Sequence, residues 1–196
     1  MAITRLGSNQ SVNLASNVTG TLPVANGGTA LTSGFVNGSA MTPAFEAKMT
    51  GVSTTLSEGT LTTLTIYNSE DLDTDNCFDP STGKFIPTTA GKYFVEATVL
   101  VDRGGSTFSD VYMAYLQIFK NGTDGSSASK RTIFQHDMRN NGGRGFQLRT
   151  SGIFDMNGTD DYLITAAFLN TSSDNNGTVN GESNYSWFRG YRLIGV

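Results

Sequence analysis

Three carboxylates at alternate positions are the spacing in this sequence that most suggests chemistry. Asp71, Asp73 and Asp75 have the one-residue intervals that open calcium-binding loops, where carboxylate oxygens bind the ion. The complete loop pattern places Gly at its sixth position and Glu at its twelfth, whereas this sequence has Asn76 and Thr82 there. Two interpretations stay open: weak ligands for calcium, or a solvated acidic loop. No other cofactor is predicted.

Residues for catalysis are hard to find. His136 is the only histidine, and the sequence has no Gly-x-Ser-x-Gly turn to supply the serine of a hydrolase triad. The only cysteine, Cys77, lies between Asn76 and Phe78 in an acidic stretch, without the base or cation that activates a thiol. The sequence therefore predicts that the protein is not an enzyme, and a single cysteine excludes an internal disulfide bond.

Basic residues gather further along the chain with one acid, Asp137, among them. One interpretation is that they lie on solvated strand faces or form a salt bridge between subunits. The other is a surface that binds anionic glycan, because Arg offers paired donors to carboxylate or sulfate. The basic residues are Lys130, Arg131, Arg139, Arg144 and Arg149.

Three loops rich in Asn, Gly and Ser, residues 122–129, 140–144 and 172–184, are where we expect binding, because loops on a β framework carry function. Tyr185 and Trp187 follow the last loop, where an aromatic face could stack on a sugar. The alternative for Trp187 is a place in the core. The candidate residues for binding a surface are Asn140, Asn141, Arg144, Asn175 and Asn176.

The composition limits the class of protein to which the chain belongs. Its 196 residues carry a net charge of −4, with 15% charged residues, so the sequence offers no general surface for nucleic acid. No apolar run approaches the roughly 20 residues that span a bilayer, and no basic and then apolar leader opens the chain. We therefore expect a protein that is neither inserted in a membrane nor secreted through a signal peptide.

Alternation of apolar and polar residues predicts strands that would position these groups. The clearest runs are 93–102 and 111–120, and Asn121-Gly122 after the second is a hairpin signal. Further strands are predicted at 61–67, 131–138, 145–156, 162–169 and 186–194. No helical period exceeds two turns, so the predicted fold is an all-β, antiparallel sandwich.

The strand at residues 111–120 is apolar on both faces, which predicts that both faces are covered. One face would meet the core of the sandwich and the other a neighbouring subunit. The aromatic side chains suited to such an interface are Tyr112, Tyr115 and Phe119.

The spacing of aromatic residues resembles a known family. The pattern runs Tyr67-x5-Asp73-x4-Phe78-x6-Phe85-x5-Gly91-x-Tyr93, and the chain closes with Ser186-Trp187-Phe188-Arg189-Gly190-Tyr191. Both stretches resemble landmarks of the C1q domain, the jelly roll shared with the tumour necrosis factor (TNF) family. The resemblance implies a trimeric jelly-roll knob, which we assign to residues 56–196.

Residues 1–55 are predicted to be an extended attachment arm. Arg5 is the only charge before residue 46, and isolated apolar side chains recur among Gly, Ser, Thr and Asn, which suits a segment that lies along a partner. The string Gly20-Thr21-Leu22-Pro23-Val24-Ala25-Asn26-Gly27-Gly28-Thr29 resembles linkers in bacteriophage tail-fibre and head-decoration proteins.

Together these resemblances imply a structural protein of the phage virion. We expect a homotrimeric fibre, attached to other virion proteins through its arm, with a knob that adsorbs to host surface glycan. The alternative is a capsid decoration protein that stabilises the head.

Overall fold

Antiparallel strands make up the regular structure of the chain. The computed structural model describes residues 40–103, 111–137, 144–172, 175–182 and 185–194, and these contain thirteen strands and no helix long and apolar enough to cross a membrane. The strands are β1 Ala44–Lys48, β2 Thr54–Leu56, β3 Thr62–Leu64, β4 Ser69–Asp73, β5 Phe78–Asp79, β6 Lys84–Phe85, β7 Gly91–Asp102, β8 Val111–Lys120, β9 Lys130–Asp137, β10 Gly145–Met156, β11 Leu163–Thr171, β12 Gly177–Val179 and β13 Trp187–Arg192.

The strands form two antiparallel sheets. The first sheet has the order β2-β12-β7-β13-β1-β4, and β10 pairs with the other side of β7 along the whole length of that strand. The second sheet has the order β5-β6-β11-β8-β9, with β3 also paired to β11. The long strands 91–102, 111–120 and 145–156 lie where the alternating pattern predicts them.

The core lies between the two sheets. On β7 every inward position is apolar and fully buried, and these positions are Tyr93, Val95, Ala97, Val99 and Val101. They pack in one cluster with side chains of β8 and β11 from the facing sheet, among them Ala114, Leu116, Ile118, Leu163 and Leu169.

Aromatic rings fill the part of this core beside β1. The Phe45 ring stacks on Phe85 and on Phe78, with centroids 4.3 Å and 5.3 Å apart, and meets Phe188 edge to face. Tyr67 is fully buried beside them and shares a 2.8 Å hydrogen bond with the hydroxyl of Thr165. Burial raises the pKa of Tyr67 far above its ordinary value, so the ring stays neutral. The spaced aromatics of the sequence therefore belong to one cluster.

The sandwich begins earlier in the chain than the boundary at residue 56 implies. Strand β1 lies between β13 and β4 in the first sheet, and its Phe45 and Ala47 are buried. The sequence alone does not indicate this role. Glu46 and Lys48 alternate with only two apolar residues, and this short pattern predicts a hinge instead of a strand. The described sandwich therefore starts at residue 44, and residues 1–39 of the predicted arm lie outside the described residues.

Candidate functional site

Asp73, the central member of the acidic triplet, is committed to the backbone of the turn that follows it. Its Oδ1 accepts hydrogen bonds from the Cys77 amide at 2.9 Å and from Cys77 Sγ at 3.0 Å, while its Oδ2 accepts one from the Phe78 amide at 3.1 Å. Asp75 and Asn76 adopt positive φ in this turn. Asp73 therefore holds the chain in place as it enters β5. Burial and the neighbouring Asp73 raise the pKa of the Cys77 thiol, which keeps it protonated.

The other acids of the triplet do not join Asp73 around a common point. Asp71 lies on the edge strand β4, and Lys48 on β1 donates to it at 2.6 Å. Among the described residues no three His, Cys, Asp or Glu side chains are grouped as metal ligands. Calcium binding at Asp71, Asp73 and Asp75 stays a prediction.

The three aromatics proposed for a subunit interface differ in accessibility. Phe119 is fully buried within the chain and packs against Ile164 and Ala166, so it has no surface to offer a partner. Tyr115 is half-buried and stacks on Phe168, with centroids 4.4 Å apart. Tyr112 is also half-buried. The second apolar face of β8 is thus partly covered by the chain itself, and interface roles for Tyr112 and Tyr115 stay predictions.

Some of the predicted surface-binding residues lie at one end of the sandwich. Arg144 precedes β10 and forms an ion pair with Asp102 at the end of β7, at 3.4 Å. The exposed Asn175 and Asn176 precede β12, whose Thr178 pairs with Asp102. Arg139, Asn140 and Asn141 lie outside the described residues. Arg144 and the Asn175-Asn176 loop therefore lie on the two sides of Asp102 at the end of β7.

A groove on the outer face of the first sheet was not predicted. It has a volume of about 360 Å³ and lies over β4, β1, β13 and β7. The exposed side chains of Leu72 and Tyr191 line it together with Phe94 and Ala44. Tyr191 pairs with Phe94, and the next strand adds the exposed Ile153 opposite Phe94. The outer face of a sheet thus carries a row of accessible apolar side chains.

A cluster of charges lies beside this apolar row. Glu96 is buried on β7 and is contacted by Arg149 of β10 on one side and by Arg189 of β13 on the other, the second contact at 3.1 Å. Arg189 also lies 3.6 Å from Glu46. The negative charges of Glu46 and Glu96 are therefore neutralised by the two arginines of the same chain. Glu96 is buried, but it keeps charged partners.

Trp187 lies on the same outer face. The guanidinium of Arg189 lies 4.0 Å from the centroid of its ring and that of Arg149 5.6 Å, so two cations contact one indole. The indole is half-buried rather than in the core, whereas its neighbour Phe188 is fully buried. The period of two in 187–191 identifies this face, since Trp187, Arg189 and Tyr191 share it.

Solved structures of other proteins have an architecture similar to that of this chain. Murine APRIL, in its crystal structure at pH 5.0, matches with a TM-score of 0.51 and 10% identity over 76% of this chain and 98% of its own. The Eiger TNF of S. frugiperda matches with a TM-score of 0.53 and 8% identity over 78% of this chain and 93% of its own. The fold is a TNF-like jelly roll. Neither a protein-family model nor a curated protein matches the sequence.

The jelly-roll fold predicted from the aromatic spacing is thus confirmed.

Within the TNF-like jelly roll, His136 lies on edge strand β9 and its ring packs on Phe146, with centroids 4.0 Å apart. Its Nε2 is buried and has no hydrogen-bond partner within the described part of the chain.

Proposed function

We propose that this chain is a structural protein of the bacteriophage virion: a trimeric fibre whose TNF-like jelly roll forms a knob that contacts the host surface. One structural observation carries the proposal. The outer face of the first sheet exposes Leu72, Ile153 and Tyr191, while the charges between them are balanced within the chain.

Such a face suits burial against copies of the same chain. Accessible apolar side chains gain free energy when they leave water, and charges that are already paired do not repel their counterparts in a second copy. The trimeric state follows the resemblance of the sequence to C1q domains. Light scattering should return three times the chain mass of 20.9 kDa.

The phage assignment is supported by the sequence of the arm. The string from Gly20 to Thr29 resembles linkers of tail-fibre and head-decoration proteins, and the near absence of charge before residue 46 suits docking along another virion protein.

The host-facing role is supported by the loop end around Arg144, Asn175 and Asn176. A guanidinium offers paired donors to an anionic glycan, and amide side chains add adaptable hydrogen bonds. Each site would be weak, and three copies on one knob would raise the overall avidity.

The test is adsorption of phage in the presence of excess purified chain. We expect the protein to bind host cells and to slow adsorption, and a variant with Arg144→Ala, Asn175→Ala and Asn176→Ala to do neither. If the intact protein has no effect while particles lacking it burst more readily, the capsid decoration role replaces the adsorption role.

A further inference from the structure

The outer face of the second sheet carries a pair of stacked aromatic rings. Tyr115 on β8 lies between the core residues Ala114 and Leu116, so its side chain points away from the core. Phe168 on β11 is paired with it, and the two rings stack with centroids 4.4 Å apart and planes 5° from parallel. Because β9 flanks β8 on the other side, the second face of the Tyr115 ring is turned towards the exposed Gln135. The stack therefore ends in an aromatic face beside an amide.

A buried amide with an unsatisfied oxygen lies in the next row of the same face. Gln117 is 3% exposed, and its Oε1 has no hydrogen-bond partner among the described residues. It is paired with Ala166 of β11 and with Ile133 of β9, two side chains that cannot form hydrogen bonds. A buried acceptor without a partner destabilises the fold, and a hydroxyl group that donates to it removes this cost.

The exposed amide of Gln135 is paired with a weak acceptor. Its Nε2 lies 3.7 Å from Sδ of Met113, and a thioether sulfur accepts hydrogen bonds weakly. A hydroxyl or ether oxygen of a ligand is a better partner for this donor. Both amides beside the Tyr115 ring thus gain hydrogen bonds from a ligand that is rich in oxygen.

This combination matches the chemistry of a neutral sugar. The C–H groups of a pyranose ring pack on the electron-rich face of an aromatic ring, and its hydroxyl groups form hydrogen bonds with amides. Paired residues of neighbouring strands are about 5 Å apart and residues two apart on one strand about 7 Å, so the area is about that of one sugar ring. We call these side chains the sugar patch, and none of them carries a charge: Tyr115, Gln117, Ile133, Gln135, Ala166 and Phe168.

We propose that the sugar patch binds a neutral sugar, which stacks on Tyr115 and forms hydrogen bonds with Gln117 and Gln135. The oxygen of Gln117 reaches the ligand by rotation about its side-chain bonds. Tyr115 then contacts a ligand instead of a neighbouring subunit. The inference goes beyond the proposed function, because the loop end around Arg144 suits an anionic glycan, and the proposed trimer buries the first sheet and leaves this face accessible.

The first test adds sugars to the full-length protein with labelled isoleucine methyl groups. We expect a methyl glycoside of glucose, galactose, mannose or N-acetylglucosamine to shift the NMR signal of Ile133, which Ile133→Val assigns. Methyl glucuronide adds a carboxylate to the same ring and should bind more weakly, because the patch offers no cation to pair with it. If none of the neutral glycosides shifts this signal, the proposal is overturned.

Variants separate binding from folding. Tyr115→Ala should weaken binding of the best glycoside about tenfold, whereas Tyr115→Phe keeps the ring and should bind normally. Gln117→Met replaces the amide with an apolar side chain of similar shape, so it should weaken binding without lowering the melting temperature. Gln135→Ala, at an exposed position, tests the second amide if Tyr115→Ala folds poorly. Tyr185→Ala removes an exposed aromatic outside the patch and should have no effect.

The remaining outcomes separate this site from the proposed function. Arg144→Ala should reduce adsorption to host cells and leave the neutral glycoside bound, and loss of that binding overturns a separate site. If Tyr115→Ala converts a trimer into single chains, this face is a subunit contact and the sugar site is overturned. Unchanged glycoside binding in Tyr115→Ala and in Gln117→Met also overturns it.

Discussion

Phe45 and Phe85 stack face to face across the sandwich, with ring centroids 4.3 Å apart and planes 18° from parallel. Phe45 belongs to β1 of the first sheet and Phe85 to β6 of the second, so this stack joins the two layers directly. Both rings are buried, and Phe45 also touches the rings of Phe78 and Phe188. It is the common neighbour of the aromatic cluster.

Replacing Phe45 with Ala should therefore be severely destabilising. The change leaves a cavity among rings that cannot all shift to fill it, and we expect a loss of about 3–5 kcal/mol in the free energy of unfolding. Urea unfolding at fixed protein concentration measures the loss. Tyr185→Ala, which removes an exposed aromatic, is the matched control and should change stability by less than about 1 kcal/mol. Equal losses in the two variants would contradict a central role for Phe45.

The buried charge at Glu96 gives a second prediction. Glu96→Gln should destabilise the protein by about 1–3 kcal/mol, because Arg149 and Arg189 would lose the carboxylate between them. The value is below that of a fully buried pair, since both guanidinium groups are partly exposed to solvent. Thermal and urea unfolding measure the effect. Asp155→Asn removes the carboxylate of the exposed Lys92–Asp155 pair and should cost less than about 1 kcal/mol. A loss for Glu96→Gln no larger than that of the control would contradict the prediction.

The pH response of Asp124 tests the loop between β8 and β9. The side chain of Ser126, together with the amides of Ser127 and Ser126, donates hydrogen bonds to the Asp124 carboxylate and lowers its pKa from 3.8 to about 2. Because the carboxyl group has a lower pKa in the folded loop than in the unfolded chain, its ionisation stabilises the fold at pH values above about 3.8. This contribution disappears as the pH falls from about 3.8 to about 2. A titration of the carboxyl carbon followed by NMR should find the low midpoint. Ser126→Ala should move the midpoint upward. Ser129→Ala should leave it in place, because the hydroxyl of Ser129 donates to the backbone carbonyl of Lys120 and not to Asp124. A midpoint near 3.8 in the unmodified protein would contradict the loop geometry.

The sequence predicts the long strands and the fold because their signals are local. On β7 the period of two is unbroken, and Asn121-Gly122 marks the end of β8 before the chain turns. The jelly-roll assignment follows from aromatic spacing, since Tyr67, Phe78, Phe85 and Tyr93 must meet in one core.

The groove on the outer face could not be predicted from local signals, because the side chains that line it come from strands that are distant in sequence. In β13 the larger side chains, Trp187 and Tyr191, point outward, and the inward position at residue 190 is a glycine. A Cβ atom at Gly190 would lie 2.9 Å from the carbonyl oxygen of Phe94 and from the side chain of Val95, and 3.2 Å from the ring of Phe45, so residues distant in sequence leave no room for a side chain there. The role of β1 could not be predicted for the same reason. Its place between β13 and β4 depends on pairing with strands distant in sequence and not on its own residue pattern.

The position of β1 determines how much of the N-terminal segment can be deleted without loss of the fold. Deleting residues 2–39 should change the melting temperature of the jelly roll little, because the composition of that segment cannot bury enough apolar surface to fold alone. Deleting residues 2–49 should instead prevent folding, because it removes β1 from between β13 and β4, and with it the buried side chains of Phe45, Ala47 and Met49. Differential scanning calorimetry of the two truncated proteins measures the contrast.

The shorter deletion then tests whether the arm docks the protein on the virion. A folded protein without residues 2–39 should be missing from purified particles, since backbone hydrogen bonds and isolated apolar side chains of the arm supply the attachment. The matched control keeps the arm and carries Val52→Glu on the jelly roll, which should be incorporated at normal copy number. If the truncated protein reaches particles as well as the control does, attachment resides in the jelly roll, and the outer loops or the first sheet must carry it.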